Sequence, residues 1–197
     1  MVLENEGRWA DPSDIHKIKR PFLTRSGRGE IAVQLDARGH PLNPIGRTGL
    51  QGRGLLGRWG RNLAGDPMVT RVNPDTRQLE LLVIQRKDSG KVALPGGMVD
   101  EGEAIAATTA RELLEETGAE IDFKNATILF AGVVDDPRNT DNSWMETTVL
   151  HKHLSADEQK GIILRAGDDA KSARWREIDL ELLSSMLAGP IFYSLSM

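Results

Sequence analysis

Three glutamates lie close together in one short stretch of the chain. Glu112, Glu115 and Glu116 are spaced so that, at about 100° per residue, they share one face of a helix. Like charges three and four residues apart repel each other unless solvent or a cation compensates them. Carboxylate oxygens are the ligands that Mg2+ and Mn2+ prefer. The cluster therefore predicts a divalent metal site, with a solvated acidic helix face as the plain alternative.

The residues around the three glutamates predict a turn followed by a helix that carries them. The turn Pro95-Gly96-Gly97 is unsuited to a regular helix or strand. A helix is expected over residues 104–117, and Gly118 is suited to end it. Glu103 and Arg111 carry opposite charges, so an ion pair between them would fix the loop on the helix.

The other face of this helix carries small and apolar residues. Ala107, Ala110 and Leu114 are expected to pack against a sheet. A short strand is expected over residues 92–94, directly before the glycine turn. In such a strand-loop-helix unit the turn lies at the carboxyl end of a strand, where ligands gather.

Apolar patterns predict further strands and helices around this unit. The expected strands cover residues 30–35, 68–72, 79–85, 127–134 and 147–153, with helices beginning at residue 155 and over residues 178–187. Residues 127–134 are mainly apolar, which predicts a buried strand. The spacing of Leu182, Leu183 and Leu187 predicts that they belong to the core.

Residues 42–71 are unusually rich in glycine and arginine. Glycine at this density gives turns and backbone amides that can approach a ligand closely. Leu50, Leu55, Leu56 and Trp59 favour burial, so we expect an ordered, packed loop in preference to a flexible linker. Some of the arginines are expected to contact a phosphate or ribose, and the predicted substrate-binding residues of this segment are Arg47, Arg53 and Trp59.

A polar segment, residues 135–146, separates two apolar strands. It contains Asp136, Arg138 and Asn142, which suit ribose hydroxyls and a phosphate. A simple hairpin loop is the alternative interpretation. We predict that all three residues bind substrate.

A second acidic pair follows later in the chain. Asp168 and Asp169 precede a strand-like segment. The pair could supply a general base or a further metal contact, and Asp168 is assigned to the substrate site. A solvated turn explains the pair equally well.

Composition narrows the class of protein. The 197 residues can bury one sizeable core, and the net charge of -4 with a pI near 5.6 argues against non-specific nucleic-acid binding. The absence of cysteine excludes disulfides and thiolate sites. No apolar run reaches membrane-spanning length, and the polar start does not resemble a secretory signal, so a cytoplasmic location is expected. The four histidines are scattered along the chain, and none is assigned to a metal.

The stretch from Gly97 to Ala119 resembles a complete Nudix box. Gly97 is followed after five residues by Glu103, and after seven more by Arg111-Glu112-Leu113-Leu114-Glu115-Glu116-Thr117-Gly118-Ala119. The resemblance implies an α/β fold, the Nudix α/β/α sandwich with a mixed sheet. It also implies Mg2+-dependent hydrolysis of a diphosphate linked to another moiety, with Mn2+ as a possible substitute.

The same resemblance implies a role for each residue of the box. It makes Glu112, Glu115 and Glu116 metal ligands, together with the backbone carbonyl of Gly96. In the predicted catalytic set, Glu103 and Arg111 maintain the geometry of the loop and the helix.

Further blocks of sequence resemble the ADP-ribose pyrophosphatase branch of the Nudix family. These blocks are GRWADP at 7–12, NPIGRTGLQGRGLLGRWG at 43–60, LPGGMVDEGE at 94–103, VDDPRNTDNSWMET at 134–147 and AGDDA at 166–170. By this resemblance Asp136 and Arg138 contact ADP-ribose. We expect a small N-terminal lobe with the glycine-rich loop over residues 1–66, and a Nudix domain over residues 67–197.

The expected function is Mg2+-dependent hydrolysis of ADP-ribose to AMP and ribose 5-phosphate. The expected enzyme acts as a monomer on this small molecule, without nucleic acid or membrane partners. One alternative is a Nudix hydrolase of another nucleoside diphosphate derivative. A second alternative is a non-catalytic ADP-ribose-binding module, which the ion-channel domain of this branch suggests. A third alternative is a structural protein. The complete box favours an enzyme.

Overall fold

The chain forms two compact units. The computed structural model describes residues 9–26, 29–167 and 170–187. The first unit contains the described residues up to Leu63 together with Ala131–Thr147, and the second contains Ala64–Phe130 together with the described residues from Thr148 onward. Residues 131–147, expected in the larger domain, thus group with the first unit. The predicted division at residue 66 stays a prediction.

Eleven strands and α-helices carry the described fold. They are β1 Leu23–Ser26, β2 Gly29–Ala32, β3 Gly60–Val72, β4 Leu79–Arg86, β5 Val92–Ala93, β6 Gly97–Met98, α1 Ile105–Thr117, β7 Thr127–Val133, β8 Ser143–Leu154, β9 Ala170–Glu177 and α2 Leu180–Leu187. Strands β1 and β2 pair with each other. The second sheet has the order β5-β4-β3-β8-β7, with β6 paired to β3 and β9 paired to β4.

Strand β4 shows why the second unit has helices on both faces of its sheet. Leu82 belongs to a core cluster with Leu113 of α1. Its neighbours Leu81 and Val83 belong to another cluster with Leu182 of α2. Successive strand residues point to opposite faces, so α1 covers one face and α2 covers the other. This is the layered α/β arrangement that the sequence predicts.

Helix α1 begins and ends as predicted, and Ala110 packs against the core as expected, but the buried leucine is a different one. Gly118 ends the helix at φ 71°, a left-handed conformation that glycine adopts without strain. Leu113 is fully buried, whereas Leu114 is 47% exposed. The prediction of Leu114 as a core residue was therefore wrong. Leu113 lies one helical turn from Thr109 and Thr117, which are also buried, so these residues define the packed face.

Other expectations from the pattern were also wrong, including the burial of Leu183, which is 38% exposed. Strand β7 is not buried, since Ile128 is 58% exposed, and it is the last strand in the order of its sheet. Residues 155–162 contain turns and no helix, although Ser155 and Glu158 bond to each other's backbone amides in the reciprocal pattern that often starts one. Strand β3 begins at Gly60, inside the segment expected to lack regular structure.

Asp141 organises the glycine-rich segment of the first unit. Its Oδ1 accepts hydrogen bonds from the backbone amides of Thr48 at 2.7 Å and Gly49 at 3.0 Å. Burial opposes the charge, but these amides outweigh it and hold the pKa of Asp141 below its ordinary value. Leu56 and Trp59 of the segment are buried, as expected for a packed loop, although Leu50 and Leu55 are exposed.

Replacing Asp141 with Ala should destabilise the protein by about 2–4 kcal/mol, because amides that bond to a charged acceptor would lose it. Urea unfolding followed by tryptophan fluorescence measures this change. The difference from the wild type should begin to shrink as the pH falls below 3.8, where the unfolded chain takes up the proton, and should be lost as the pH falls through the lowered pKa of folded Asp141.

Asp88→Ala is the matched control for this test. Asp88 pairs with Arg86 at an exposed site, where an ion pair contributes little to stability. Equal urea midpoints for Asp141→Ala and Asp88→Ala would show that Asp141 does not hold the segment.

Candidate active site

The glycine turn of the second unit lies directly against helix α1. Glu116 is 9% exposed, and its Oε2 accepts a hydrogen bond from the amide of Gly96 at 2.9 Å. A Cβ atom on Gly97 would lie only 2.3 Å from Oε1 of Glu112. A side chain at position 97 would therefore push the Glu112 carboxylate out of the position in which Arg111 holds it. The absence of a side chain at Gly97 therefore allows the turn to pack closely against the acidic face of the helix.

Arg111 connects the carboxylates of this region. Its Nε and one terminal nitrogen each lie 3.0 Å from the oxygens of Glu103, so the predicted ion pair is present. The other terminal nitrogen donates to Glu112 at 2.7 Å and to Glu115 at 3.3 Å. Arg111 also donates to the carbonyl of Met98 at 3.1 Å. One guanidinium thus fixes loop and helix together.

These contacts set the electrostatics of the acidic face. Hydrogen bonds from Arg111, supported by Thr108 Oγ1 at 2.8 Å, lower the pKa of Glu103 to about 2. The bond to Glu103 also raises the pKa of Arg111, which therefore stays charged. Burial raises the pKa of Glu112 despite the neighbouring guanidinium. Glu103 is accordingly an anchored anion, while Glu112 is the less stabilised one.

The acidic face offers the type of donor atom that a hard divalent cation binds. Glu112, Glu115, Glu116 and the Gly96 carbonyl offer only oxygen donors, which suit Mg2+. The space left by Gly97 brings the Glu112 carboxylate to the turn. Across the part of the chain that the structure describes, no three His, Asp or Glu side chains already form a metal cage. The assignment of these ligands stays a prediction.

Asp136 and Arg138 form a bidentate pair in the first unit. Arg138 donates from Nε at 2.8 Å and from a terminal nitrogen at 2.7 Å to the two carboxylate oxygens. Burial opposes the charge of Asp136, but the bonds from Arg138 outweigh it and keep its pKa low. The Arg138 side chain remains 43% exposed, so it can also meet a ligand.

The other predicted substrate residues separate into two groups. Arg47, Trp59 and Asn142 line one cavity of about 740 Å³ in the first unit. Arg53 is not among its lining residues and is only 1% exposed, with its guanidinium bonded to the carbonyls of Asp11 and Gly57. This position favours a structural role for Arg53, and its role in substrate binding stays a prediction. Asp168 lies outside the described residues.

Asn142 and Trp59 are also engaged within the first unit. Asn142 accepts from the Gly52 amide and donates to the Pro41 carbonyl, each at 3.0 Å. The Trp59 ring stacks on His40 with the centroids 4.8 Å apart. Both residues therefore shape the wall of the cavity, whatever it binds.

The contacts of several residues were not predicted from the sequence. His151 and His153 are not scattered, because both rings lie 2.9 Å from Oγ1 of Thr70. Their spacing of two in a strand could have indicated that the two rings share one face, but not that both contact Thr70. Thr108 and Asp66 touch the loop-helix unit, but an isolated Thr or Asp carries no pattern that would reveal it.

Comparison with known proteins decides the family. The NUDIX domain family matches residues 67–189, which is more than half of the chain. The chain belongs to the Nudix family. The NUDT9-like N-terminal domain matches residues 5–60, so both parts of the chain have relatives.

Curated relatives of this Nudix protein include ADP-ribose pyrophosphatases and ion-channel subunits. A Caenorhabditis elegans protein, whose name of nudix hydrolase 6 is itself provisional, is 54% identical over 68% of this chain and 55% of its own length. The mitochondrial ADP-ribose pyrophosphatase of Rattus norvegicus is 39% identical over 89% of this chain and 60% of its own. The transient receptor potential cation channel subfamily M member-like 2 of Nematostella vectensis is 42% identical over 71% of this chain and 11% of its own. This chain thus spans little more than half of the first two relatives.

Solved structures confirm the predicted α/β Nudix fold. A MutT/nudix family protein from Enterococcus faecalis is 32% identical, with a TM-score of 0.52 over 59% of this chain and 44% of that one. The NUDIX domain of Shewanella oneidensis NrtR is 21% identical, with a TM-score of 0.52 over 69% and 84% of the two chains, and supports the fold alone. No helix among the described residues is long and apolar enough to cross a membrane. The cytoplasmic location stays a prediction.

Replacing Arg111 with Ala should destabilise this Nudix protein by about 1–3 kcal/mol, because partly buried carboxylates and a carbonyl would lose their shared donor. Arg111→Lys should restore only part of the loss, since an ammonium cannot reproduce the planar fork. Thermal unfolding of both variants provides the measurement.

The control for this pair is Arg86→Ala, which removes an exposed ion pair with Asp88. The assignment of Arg111 as the connecting residue would be refuted by equal melting temperatures for Arg111→Ala and Arg86→Ala.

Proposed function

We propose that this protein is a Nudix hydrolase that cleaves ADP-ribose to AMP and ribose 5-phosphate in the presence of Mg2+. The observation that carries the proposal is the complete loop-helix unit, in which Arg111 holds the carboxylates of Glu103, Glu112 and Glu115. Similarity to an ADP-ribose pyrophosphatase over 89% of the chain supports the choice of substrate. We also propose that the protein acts as a monomer.

The proposed metal ligands are Glu112, Glu115, Glu116 and the carbonyl of Gly96, with Mn2+ as a substitute for Mg2+. Nudix hydrolases generally use divalent metals. When bound, the metal supplies neutralisation of the diphosphate charge and Lewis-acid polarisation at phosphorus.

The chain's own residues keep this site ready for a cation. Glu103 and the Met98 carbonyl anchor Arg111, so its fork has a fixed direction. From that position Arg111 restrains Glu112 and Glu115 against mutual repulsion. Glu116 restrains the turn through the Gly96 amide. Phosphoryl transfer depends mainly on positioning and charge stabilisation, which such a rigid set of groups provides.

The proposed substrate contacts are Asp136 and Arg138, with Arg47, Arg53, Trp59, Asn142 and Asp168 as further candidates. The guanidinium of Arg138 is oriented by the bidentate bond to Asp136 and keeps part of its edge exposed. A fixed, planar guanidinium suits a phosphate or the hydroxyls of a ribose.

A binding module without catalysis is the second candidate function. It is favoured by the channel relative, which is 42% identical over 71% of the chain. The complete acidic face argues against it, because a module that only binds has no need for three metal-binding carboxylates.

Incubation of the purified protein with ADP-ribose, with and without Mg2+, tests the reaction. We expect AMP and ribose 5-phosphate by chromatography only when Mg2+ is present. Absence of AMP, combined with a raised melting temperature in ADP-ribose, would support the binding module. Release of inorganic diphosphate from nucleoside triphosphates, without cleavage of ADP-ribose, would support another Nudix reaction.

Glu116→Gln should lower kcat at saturating Mg2+ by roughly 100-fold or more, because an amide is a poorer ligand for a hard cation. The control is Glu120→Gln, which changes an exposed glutamate beyond the end of α1. Full turnover by Glu116→Gln would refute the metal assignment.

Arg138→Ala should raise the KM for ADP-ribose by about tenfold, which corresponds to losing one charge-assisted contact. Arg138→Lys should recover part of the affinity. Arg77→Ala, at an exposed arginine of the second unit that does not line the cavity, serves as the control. An unchanged KM in Arg138→Ala would show that the loop is misassigned.

A further inference from the structure

Asp66 is a buried carboxylate beside the glycine turn of the second unit. It belongs to β3 and is only 7% exposed. It falls between the two family matches, which cover residues 5–60 and 67–189. Buried carboxylates are costly, so a protein retains one where it serves a specific purpose.

The carboxylate of Asp66 fills the space that a side chain on Gly96 would need. A Cβ atom on Gly96 would lie 2.1 Å from Oδ1 of Asp66 and 3.1 Å from its Cγ. Glu116 bonds to the amide of the same glycine at 2.9 Å. Gly96 is therefore confined by two carboxylates, at a backbone φ of 152° that other residues rarely adopt.

The position of Asp66 is itself fixed by the sheet. In β3, Ala64 and Gly65 pair with Met98 and Gly97 of β6, so the strand runs beside the turn. A Cβ atom on Gly65 would lie 2.9 Å from Oγ1 of Thr109, which shows how closely α1 approaches the same strand. The short side chain of Asp66 is thus carried on a rigid element and has few rotamers.

These observations lead to a role for Asp66 in the metal site. Glycine has more backbone freedom than any other residue, so the turn needs outside contacts to hold one direction of its carbonyl. Asp66 provides such a contact at Gly96, whose carbonyl is a proposed metal ligand. We propose that Asp66 is a positioning residue, which holds the Gly96 carbonyl in the direction required for divalent-metal binding. This inference rests on the proposed metal-dependent function.

Titration of Mn2+ without substrate, followed by electron paramagnetic resonance of the free ion, tests the proposal. We expect Asp66→Ala to weaken Mn2+ binding by about tenfold or more, as loss of a residue that supports a metal ligand does. Asp66→Asn should stay close to the wild type, because it keeps the shape and one acceptor oxygen. Asp66→Glu should weaken binding, since the extra methylene would press against Gly96.

A second measurement reports on the turn itself. Hydrogen–deuterium exchange of peptides covering residues 94–98 should be faster in Asp66→Ala than in the wild type or Asp66→Asn, because the turn loses a contact. The control is Asp75→Ala, an exposed aspartate of the same unit. If Asp66→Ala does not fold, the Mn2+ affinities of Asp66→Asn and Asp66→Glu are compared instead. Equal affinities in these two variants would overturn the positioning role.

The possible results separate this inference from the proposed function. Unchanged Mn2+ affinity in Asp66→Ala would overturn the positioning role, even if the enzyme hydrolyses ADP-ribose. Equal weakening in Asp66→Asn and Asp66→Ala would also overturn it, in favour of a direct role for the charge. Failure of wild-type protein to bind Mn2+ would overturn the metal-dependent function and the inference together. Glu116→Gln, which should lose Mn2+ binding, serves as the positive control.

Discussion

The guanidinium of Arg111 is the contact on which the proposed active site depends. It bonds to Glu103, Glu112 and Glu115, and it reaches the carbonyl of Met98 beyond the glycine turn. Without a central cation these acidic groups would repel one another along the helix. Because the fork is planar and permanently charged, it fixes both the distance and the direction of its partners. The turn, the helix and the acidic face therefore form one rigid group.

That group is positioned by close packing around glycines and a two-sided sheet. Leu82 of β4 packs towards α1, while Leu81 and Val83 pack towards α2. Gly65 allows α1 to approach β3, and Gly97 allows Glu112 to approach the turn. The apolar core supplies the stabilisation, since burial of such side chains is the dominant favourable term in folding. Both glycines leave space in which polar side chains of α1 approach the strand and the turn.

Much of this arrangement is readable from local patterns, and the failures have physical causes. The span of α1 follows from its apolar spacing and from Gly118. The choice of Leu113 over Leu114 as the buried leucine does not, since both fit a helix and only the neighbouring sheet decides between them. Ile128 looks like a core residue, yet its strand is last in its sheet. The arginines at 47 and 53 look alike in the sequence, but one is exposed and the other is buried.

The sequence by itself determined the acidic face of α1 through residue spacing along one element, and its resemblance to the Nudix box determined the expected family and fold class. Only the tertiary structure decided which distant groups meet. It placed Asp66 against Gly96 and brought His151 and His153 together on Thr70. Such contacts join residues far apart in the chain, and their geometry is set by strand pairing and packing. No local pattern encodes that geometry.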